Sequence, residues 1–149
     1  MWFYQNNPIS YLESLPNNEG AVGFVYKITN LVTGKFYIGK KALFHTSKVK
    51  IGKREKAETK TRKTFKRKTK ESDWLTYYGS SDELVADVAT LGTESFKREI
   101  LEICYSKKYL AYAELKHMIL HDVLTQSSYN GNILGKFFRR DMHANQVPT

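Results

Sequence analysis

Between Ala21 and Thr29 the large apolar residues fall at every second position, Val22, Phe24, Tyr26 and Ile28, and after a turn holding Asn30 and Gly34 the chain resumes as Phe36-Tyr37-Ile38-Gly39. Alternation with a period of two on both sides of a glycine-containing turn specifies a β-hairpin, and a hairpin is stable only when its apolar face is covered by further elements. The remaining sequence supplies them. Phe96 to Cys104 alternates again, with Phe96, Arg98, Ile100 and Glu102 on one side and Lys97, Glu99, Leu101 and Ile103 on the other, which predicts a third strand. Ser81 as N-cap, Asp82 and Glu83 in the first turn, Leu84, Val85, Val88 and Leu91 at helical spacing and Gly92 as a stop predict a helix. Ser106 caps a longer helix from about Lys107 to Leu124. At the start, Asn7-Pro8 through Glu13 reads as a short helix with Pro8 in its first turn, so residues 1–20 form a helical lid. Tyr129-Asn130-Gly131-Asn132 makes a tight turn, and residues 136–149, polar beyond Phe138, are expected to form a flexible tail. The expected fold class is α+β: a small three-stranded antiparallel sheet flanked by helices.

Charge is the second constraint. Half of the 24 Lys and Arg lie between Lys48 and Lys70, opposed only by Glu55 and Glu58, so one stretch carries more than the whole net charge of +9. Its only large apolar residues are Ile51 and Phe65, so it cannot bury itself, and self-repulsion predicts an extended or disordered insert over residues 48–72, after the second strand. A solvated helix face is the alternative, although two acids among that many bases make a poor ion-pair ladder. A polyanionic partner follows, nucleic acid first and an anionic membrane surface second. Lys48, Lys50, Lys53, Arg62, Lys63, Lys66, Arg67 and Lys68 are the candidate DNA phosphate contacts, giving affinity that is independent of base sequence and falls steeply with salt.

Several classes are excluded. With 149 residues the chain allows one compact domain, and 41% hydrophobic residues exclude an entirely disordered one. No apolar run approaches the roughly 18 to 20 residues that span a bilayer, and Met1-Trp2-Phe3-Tyr4-Gln5 lacks the basic start of an export signal. Cys104 is the single cysteine, which rules out an intramolecular disulfide and a cysteine-rich zinc site. A soluble protein of a reducing cytoplasm, without a membrane partner, is expected.

Parity puts Phe24, Tyr26 and Ile28 on one face of the first strand and Tyr37 and Gly39 on one face of the second. If the register pairs those faces, two phenols stand side by side, and Gly39 leaves room for a substrate backbone. Glu114 lies in the long helix with Leu110 and Met118 one turn to either side; a carboxylate on a partly apolar stripe is either paired or functional. Taken singly, a strand tyrosine is ordinarily core and a helical glutamate ordinarily solvated. His117 and His121 follow Glu114 on nearly the same face, where packing or a hydrogen bond to Glu114 is the ordinary reading and a second metal site the sharper one. The aromatic cluster of Trp74, Tyr77 and Tyr78 is expected to dock on the core in preference to stacking on bases.

Phe24-Val25-Tyr26, Lys27-Ile28-Thr29-Asn30, the turn at Gly34-Lys35 and Phe36-Tyr37-Ile38-Gly39 together resemble the paired signature of the GIY-YIG nuclease family. Ser95 to Leu101 resembles the family's third strand, Ala113-Glu114-Leu115 its metal-binding helix and Tyr129-Asn130 its closing asparagine, sixteen residues after the glutamate. The match runs from roughly Val22 to Asn132. It is closest to phage-encoded homing endonucleases, whose members often read Tyr-Ile-Gly-Lys-Lys after the second strand and Asp-Trp and Tyr-Tyr-Gly-Ser before the helix, as Asp73-Trp74 and Tyr77-Tyr78-Gly79-Ser80 do here.

The resemblance implies hydrolysis of double-stranded DNA at one divalent ion, Mg²⁺ or Mn²⁺, by a monomer or a transient dimer on DNA, in the host cytoplasm for a phage protein. Glu114 becomes the single protein metal ligand, Tyr26 the acceptor of the attacking water's proton, Tyr37 the group that orients water or phosphate, and Asn130 the support of the segment presenting Glu114. A phenol with a pKa of about 10 needs a neighbouring cation to act as a base, and Lys40 or Lys41 can supply it. Most members carry an arginine about ten residues beyond the second strand. Ala42 to Ser47 contains none, so either Arg54 takes its place or Lys40, Lys41 or His45 does. The chain is expected to act without the separate recognition domain of larger homing enzymes. A nucleic-acid-binding protein on an inactivated nuclease fold is the alternative, and a basic RNA-associated protein a third reading.

Overall fold

The computed structural model describes residues 1–142. In chain order its elements are strands β1 (Trp2–Tyr4), β2 (Asn7–Ile9), β3 (Gly23–Asn30), β4 (Phe36–Ala42) and β5 (Phe44–Lys50), helix α1 (Lys53–Thr59), strand β6 (Phe65–Glu71), helix α2 (Asp82–Leu91), strand β7 (Phe96–Cys104), helix α3 (Lys107–Leu120), strands β8 (Asn132–Ile133) and β9 (Phe137–Phe138) and helix α4 (Arg139–Met142). The class is α+β, as expected, but the main sheet has five strands in the order β2-β1-β7-β3-β4, with β1 parallel to β7.

The two additional strands replace the expected N-terminal helical lid. Gln5 and Asn6 both adopt positive φ, 49° and 66°, which is the two-residue turn that joins right-twisted antiparallel strands. Pro8, which suggested a helix start, sits instead on the outermost strand, where its missing N–H costs no ladder bond. Burial fixes the arrangement: the Trp2 side chain is fully buried and its indole N–H donates to the carbonyl of Trp74 at 2.7 Å.

The third strand follows the expected alternation only as far as Ile100. A β-bulge shifts the β3–β7 register between Val25 and Tyr26, so that Val25 faces Glu102 while Tyr26 faces Ile100. The extra residue moves Glu102 off the side of Phe96, Arg98 and Ile100 and turns it toward α3. Both faces of β3 are consequently buried. Trp2, Phe24, Tyr26, Ile28, Trp74 and Leu84 form one core layer, and Val25, Ile38, Cys104, Leu110, Ala113 and Val123 form the other, beneath α3. Both caps behave as expected, Ser81 accepting from the Leu84 N–H at 3.3 Å and Ser106 from the Tyr109 N–H at 3.1 Å. Helix α3 stops at Leu120, short of Leu124, because Asp122 takes a positive φ of 50° and turns Val123 and Leu124 into the core.

The basic segment is extended, as one of the two expected alternatives, but it is paired and ordered and not a free arm. β5 and β6 pair over seven residues each as a separate antiparallel ribbon, and α1 bridges its far end. Backbone pairing tolerates lysines on both faces because each side chain reaches solvent. Leu43 and Ile51, both buried, anchor the two ends of β5, and Glu55 accepts both its carboxylate bonds from Lys66 at 2.7 Å. Of the expected flexible tail, Phe137 to Met142 are ordered as β9 and α4, and residues 143–149 lie outside the described residues.

Candidate active site

Pairing of β3 with β4 sets Tyr26 opposite Gly39 and Ile28 opposite Tyr37, so the two tyrosines are diagonal neighbours on one face, with ring centroids 6.1 Å apart. The room above Gly39 is filled by this chain itself and not left for a substrate: a Cβ there would meet the Tyr26 Oη at 2.5 Å and the Tyr37 Cε1 at 2.9 Å. Tyr26 is 1% exposed, edge-on to Trp2, Phe24 and Tyr77. Burial first, and then Tyr37, Tyr77 and the charge of Glu114, push its phenol far above the ordinary range. Tyr37 is half-buried, its hydroxyl 2.8 Å from the Ser80 Oγ and its ring against Gly79, where φ of 89° excludes most side chains. Burial raises its pKa as well, while the Ser80 bond works the other way.

The Tyr77-Tyr78-Gly79-Ser80 segment is docked, as expected. Its clamp was not anticipated. The Arg98 guanidinium, 3% exposed, lies 4.7 Å from the Trp2 ring and 4.2 Å from that of Tyr78, and donates to the carbonyls of Leu75 at 3.0 Å and Tyr77 at 2.9 Å. Alternation identified Arg98 as facing the core; only the fold supplies the carbonyls that satisfy it.

Glu114 belongs to α3, which packs on the face of the sheet opposite the two phenols. β4 is the edge strand, so groups from its two faces can meet around that edge. Tyr37 and Glu114 do so, lining with Asn130, Ser81, Met118 and Tyr129 an open cleft of about 400 Å³. Burial pushes the Glu114 carboxyl up, and the charge and backbone N–H of Lys40 offset part of the rise. Tyr26 stands one layer behind this cleft and does not line it.

Asn130 is 4% exposed and closes the edge: its Nδ2 donates to the Ile38 carbonyl at 2.8 Å and its Oδ1 accepts from the Ile38 N–H at 3.0 Å. It therefore holds the strand carrying Tyr37 and Gly39, not the helix presenting Glu114 as the resemblance suggested. Its loop is knitted by Arg139, whose guanidinium donates to the carbonyls of Val123 (2.7 Å), Gln126 (2.7 Å), Ser128 (3.1 Å) and Asn130 (3.0 Å) and to the Ser128 Oγ (2.8 Å). Sequence reading missed Arg139 because it lies in a polar stretch with no periodic pattern.

The candidate cations separate. Lys40 lies beside Glu114, whereas Lys41, on the Tyr37 face, is bound to Asp73 at 2.6 Å and lies 4.0 Å from the centroid of the Tyr77 ring. Arg54 is on α1 with its side chain 93% exposed, paired to Glu58, and the cleft lining contains neither it nor His45. Lys48 and Lys50 lie on β5, Lys53 starts α1, Arg62 and Lys63 lie between α1 and β6, and Lys66, Arg67 and Lys68 lie on β6, all exposed. His117 bonds Glu102 at 2.9 Å and not Glu114, and His121 Nδ1 meets the His117 carbonyl at 2.8 Å.

Among the described residues no three His, Cys, Asp or Glu side chains converge, so a caged transition metal does not fit. A single carboxylate with an elevated pKa, open to a polar cleft, suits a hard ion that keeps most of its waters, Mg²⁺ or Mn²⁺. No helix among the described residues is long and apolar enough to cross a membrane.

Residues 2–134 match the model of a family described as "Putative endonuclease segE, GIY-YIG domain". No curated protein and no solved structure matches the chain.

Proposed function

The chain belongs to the GIY-YIG nuclease family, and we propose that it is a Mg²⁺-dependent endonuclease of the homing type that hydrolyses phosphodiesters of double-stranded DNA. The observation that carries this reading is the meeting of Tyr37 and Glu114 in one open cleft around the β4 edge. Glu114 would hold the ion. A bound Mg²⁺ supplies positive charge beside the phosphate and the departing 3′ oxygen.

Hydrolysis adds a water oxygen to phosphorus, breaks the bond to the 3′ oxygen, takes one proton from the water and returns one to the leaving group. Tyr37, with its hydroxyl fixed by Ser80, orients the water or a phosphate oxygen at the cleft. By analogy with the family Tyr26 would accept the water's proton, which requires the bound substrate to open a path to its ring, since it does not line the cleft. Its burial keeps the phenol protonated in the unliganded chain, so this role requires a cation against it when substrate is bound. Lys40, next to Glu114, supplies positive charge for the scissile phosphate in place of the family arginine. Gly39 and Asn130 hold the geometry.

Glu114→Ala is expected to abolish nicking of a supercoiled plasmid in Mg²⁺ while leaving DNA binding largely intact. Undiminished nicking by that variant would remove the mechanism. The exposure of Arg54 outside the cleft favours a second reading, a nucleic-acid-binding protein on an inactivated fold. Nicking by the natural chain that stops in EDTA excludes it.

A further inference from the structure

We propose that one face of the β5–β6 ribbon, continued by Lys107 of α3, is a one-sided track that leads the phosphate backbone of duplex DNA to the cleft. The proposal rests on the endonuclease reading and adds which cations are used and which are not.

The ribbon register sets Lys48 directly opposite Arg67 and Thr46 opposite Thr69. Like charges directly opposed on one face destabilise a strand pair, and among the described residues neither Lys48 nor Arg67 is paired with an acid. A polyanion laid on this face converts that repulsion into attraction. The opposite face is different. Lys66 is neutralised there by Glu55 at 2.7 Å, and Lys68 and Lys70 stand opposite Ser47 and His45.

Three hollows run in series along the first face. Lys48, Lys63 and Arg67 line one of about 410 Å³, which Lys66 of the opposite face also borders; Lys48 and Arg67 recur with Thr46, Ser47 and Lys107 in one of about 270 Å³; Thr46 and Lys107 recur with Thr69, Lys40 and the apolar Val22, Phe44 and Leu110 in one of about 430 Å³. Each shares residues with the next, none is lined by a carboxylate, and the last ends at Lys40, whose charge acts on Glu114. The hollows are therefore continuous from the ribbon as far as Lys40 on β4, the strand that also carries Tyr37, and they share no lining residue with the cleft itself. Strands of seven residues extend about 24 Å, which matches roughly seven base pairs at about 3.4 Å each.

The test compares two triple variants that remove equal charge: Lys48→Ala with Arg67→Ala and Lys107→Ala on the track, and Lys56→Ala with Lys70→Ala and Lys97→Ala off it. Binding to duplex DNA of mixed sequence is measured in EDTA across a salt series, so no cleavage is needed. The track variant is expected to lose about three from the salt slope and so to bind at least about 100-fold more weakly near 100 mM salt, the gap closing toward 1 M, and the off-track variant to keep its affinity within about twofold and its slope unchanged. Single Gln substitutions at Lys48, Arg67 and Lys107 should each lower the slope by about one. Equal losses in the two triples, no loss in the track variant, or a track effect on duplex RNA but not on duplex DNA would overturn the proposal. A chain that shows the expected asymmetry yet never nicks DNA would instead remove the endonuclease reading alone.

Discussion

The Tyr26 phenol lies over the Cα of Gly39 on the adjoining strand, so closely that a methyl group at position 39 would come within 2.5 Å of the hydroxyl oxygen. The glycine of the second signature is thus tied to the tyrosine of the first by packing. Its absent side chain is what lets an edge strand carry Tyr37 at the cleft with a second phenol directly behind it.

Gly39→Ala is therefore expected to cost about 1–3 kcal/mol through overpacking and to displace both rings. Urea unfolding should show a lower midpoint with unchanged slope, and nicking should fall by at least an order of magnitude, because Tyr37 contacts the same spot. Full activity in a stably folded variant would mean that the two rings need not be held together.

Glu114 gives a signed pH dependence. Its carboxyl is raised by burial in the folded chain, so the folded state holds the proton more tightly than the unfolded one. The stability contributed by the protonated form is present below the ordinary glutamate pKa and is lost as pH rises through the raised value. At neutral pH the ionised group therefore destabilises the metal-free fold. Glu114→Gln is expected to raise the metal-free melting temperature at pH 7 while abolishing nicking, and the gain should vanish in acid. A variant less stable than the parent at pH 7 would contradict this.

Glu102 behaves in the opposite sense. Burial pushes its carboxyl up, but bonds from Lys116, Tyr109 and His117 outweigh that and hold it at about 2. Its contribution is present above the ordinary glutamate pKa and fades as pH falls toward 2. Glu102→Gln should be less stable than the parent at pH 7, and the difference measured by chemical denaturation should shrink steadily through the acid range.

Asn130→Ala strips the Ile38 N–H and carbonyl of their partners, at a cost of roughly 1–3 kcal/mol for each group left unpaired in the interior. Arg139→Ala, which frees four carbonyls of the same loop, should reduce nicking in parallel even though Arg139 does not line the cleft. Hydrogen exchange at the Ile38 amide reports the loosened edge directly. Wild-type protection of that amide in both variants would show that the loop is not what holds β4.

Much of this molecule is legible in one dimension. The hairpin, the helix caps at Ser81 and Ser106 and the side of β3 taken by Tyr26 follow from local rules, because strand parity and capping involve residues only a few positions apart. The N-terminal strands are not legible, because Pro8 suits a helix start as well as a sheet edge, and only the burial of Trp2 against Trp74 separates the two. The pairing of the ribbon is not legible from charge, because what orders it is the backbone ladder together with the buried anchors at Leu43 and Ile51.

What the sequence determined by itself is a set of faces: which side chains of each strand and helix travel together, and that all the excess positive charge belongs to one insert. Which faces meet was decided by tertiary structure. Glu102 left its predicted side through a single bulged residue, and Tyr37 reaches Glu114 from the other side of the sheet only because β4 is the edge strand. Bulges and strand order depend on contacts between residues far apart along the chain, and no local period encodes them.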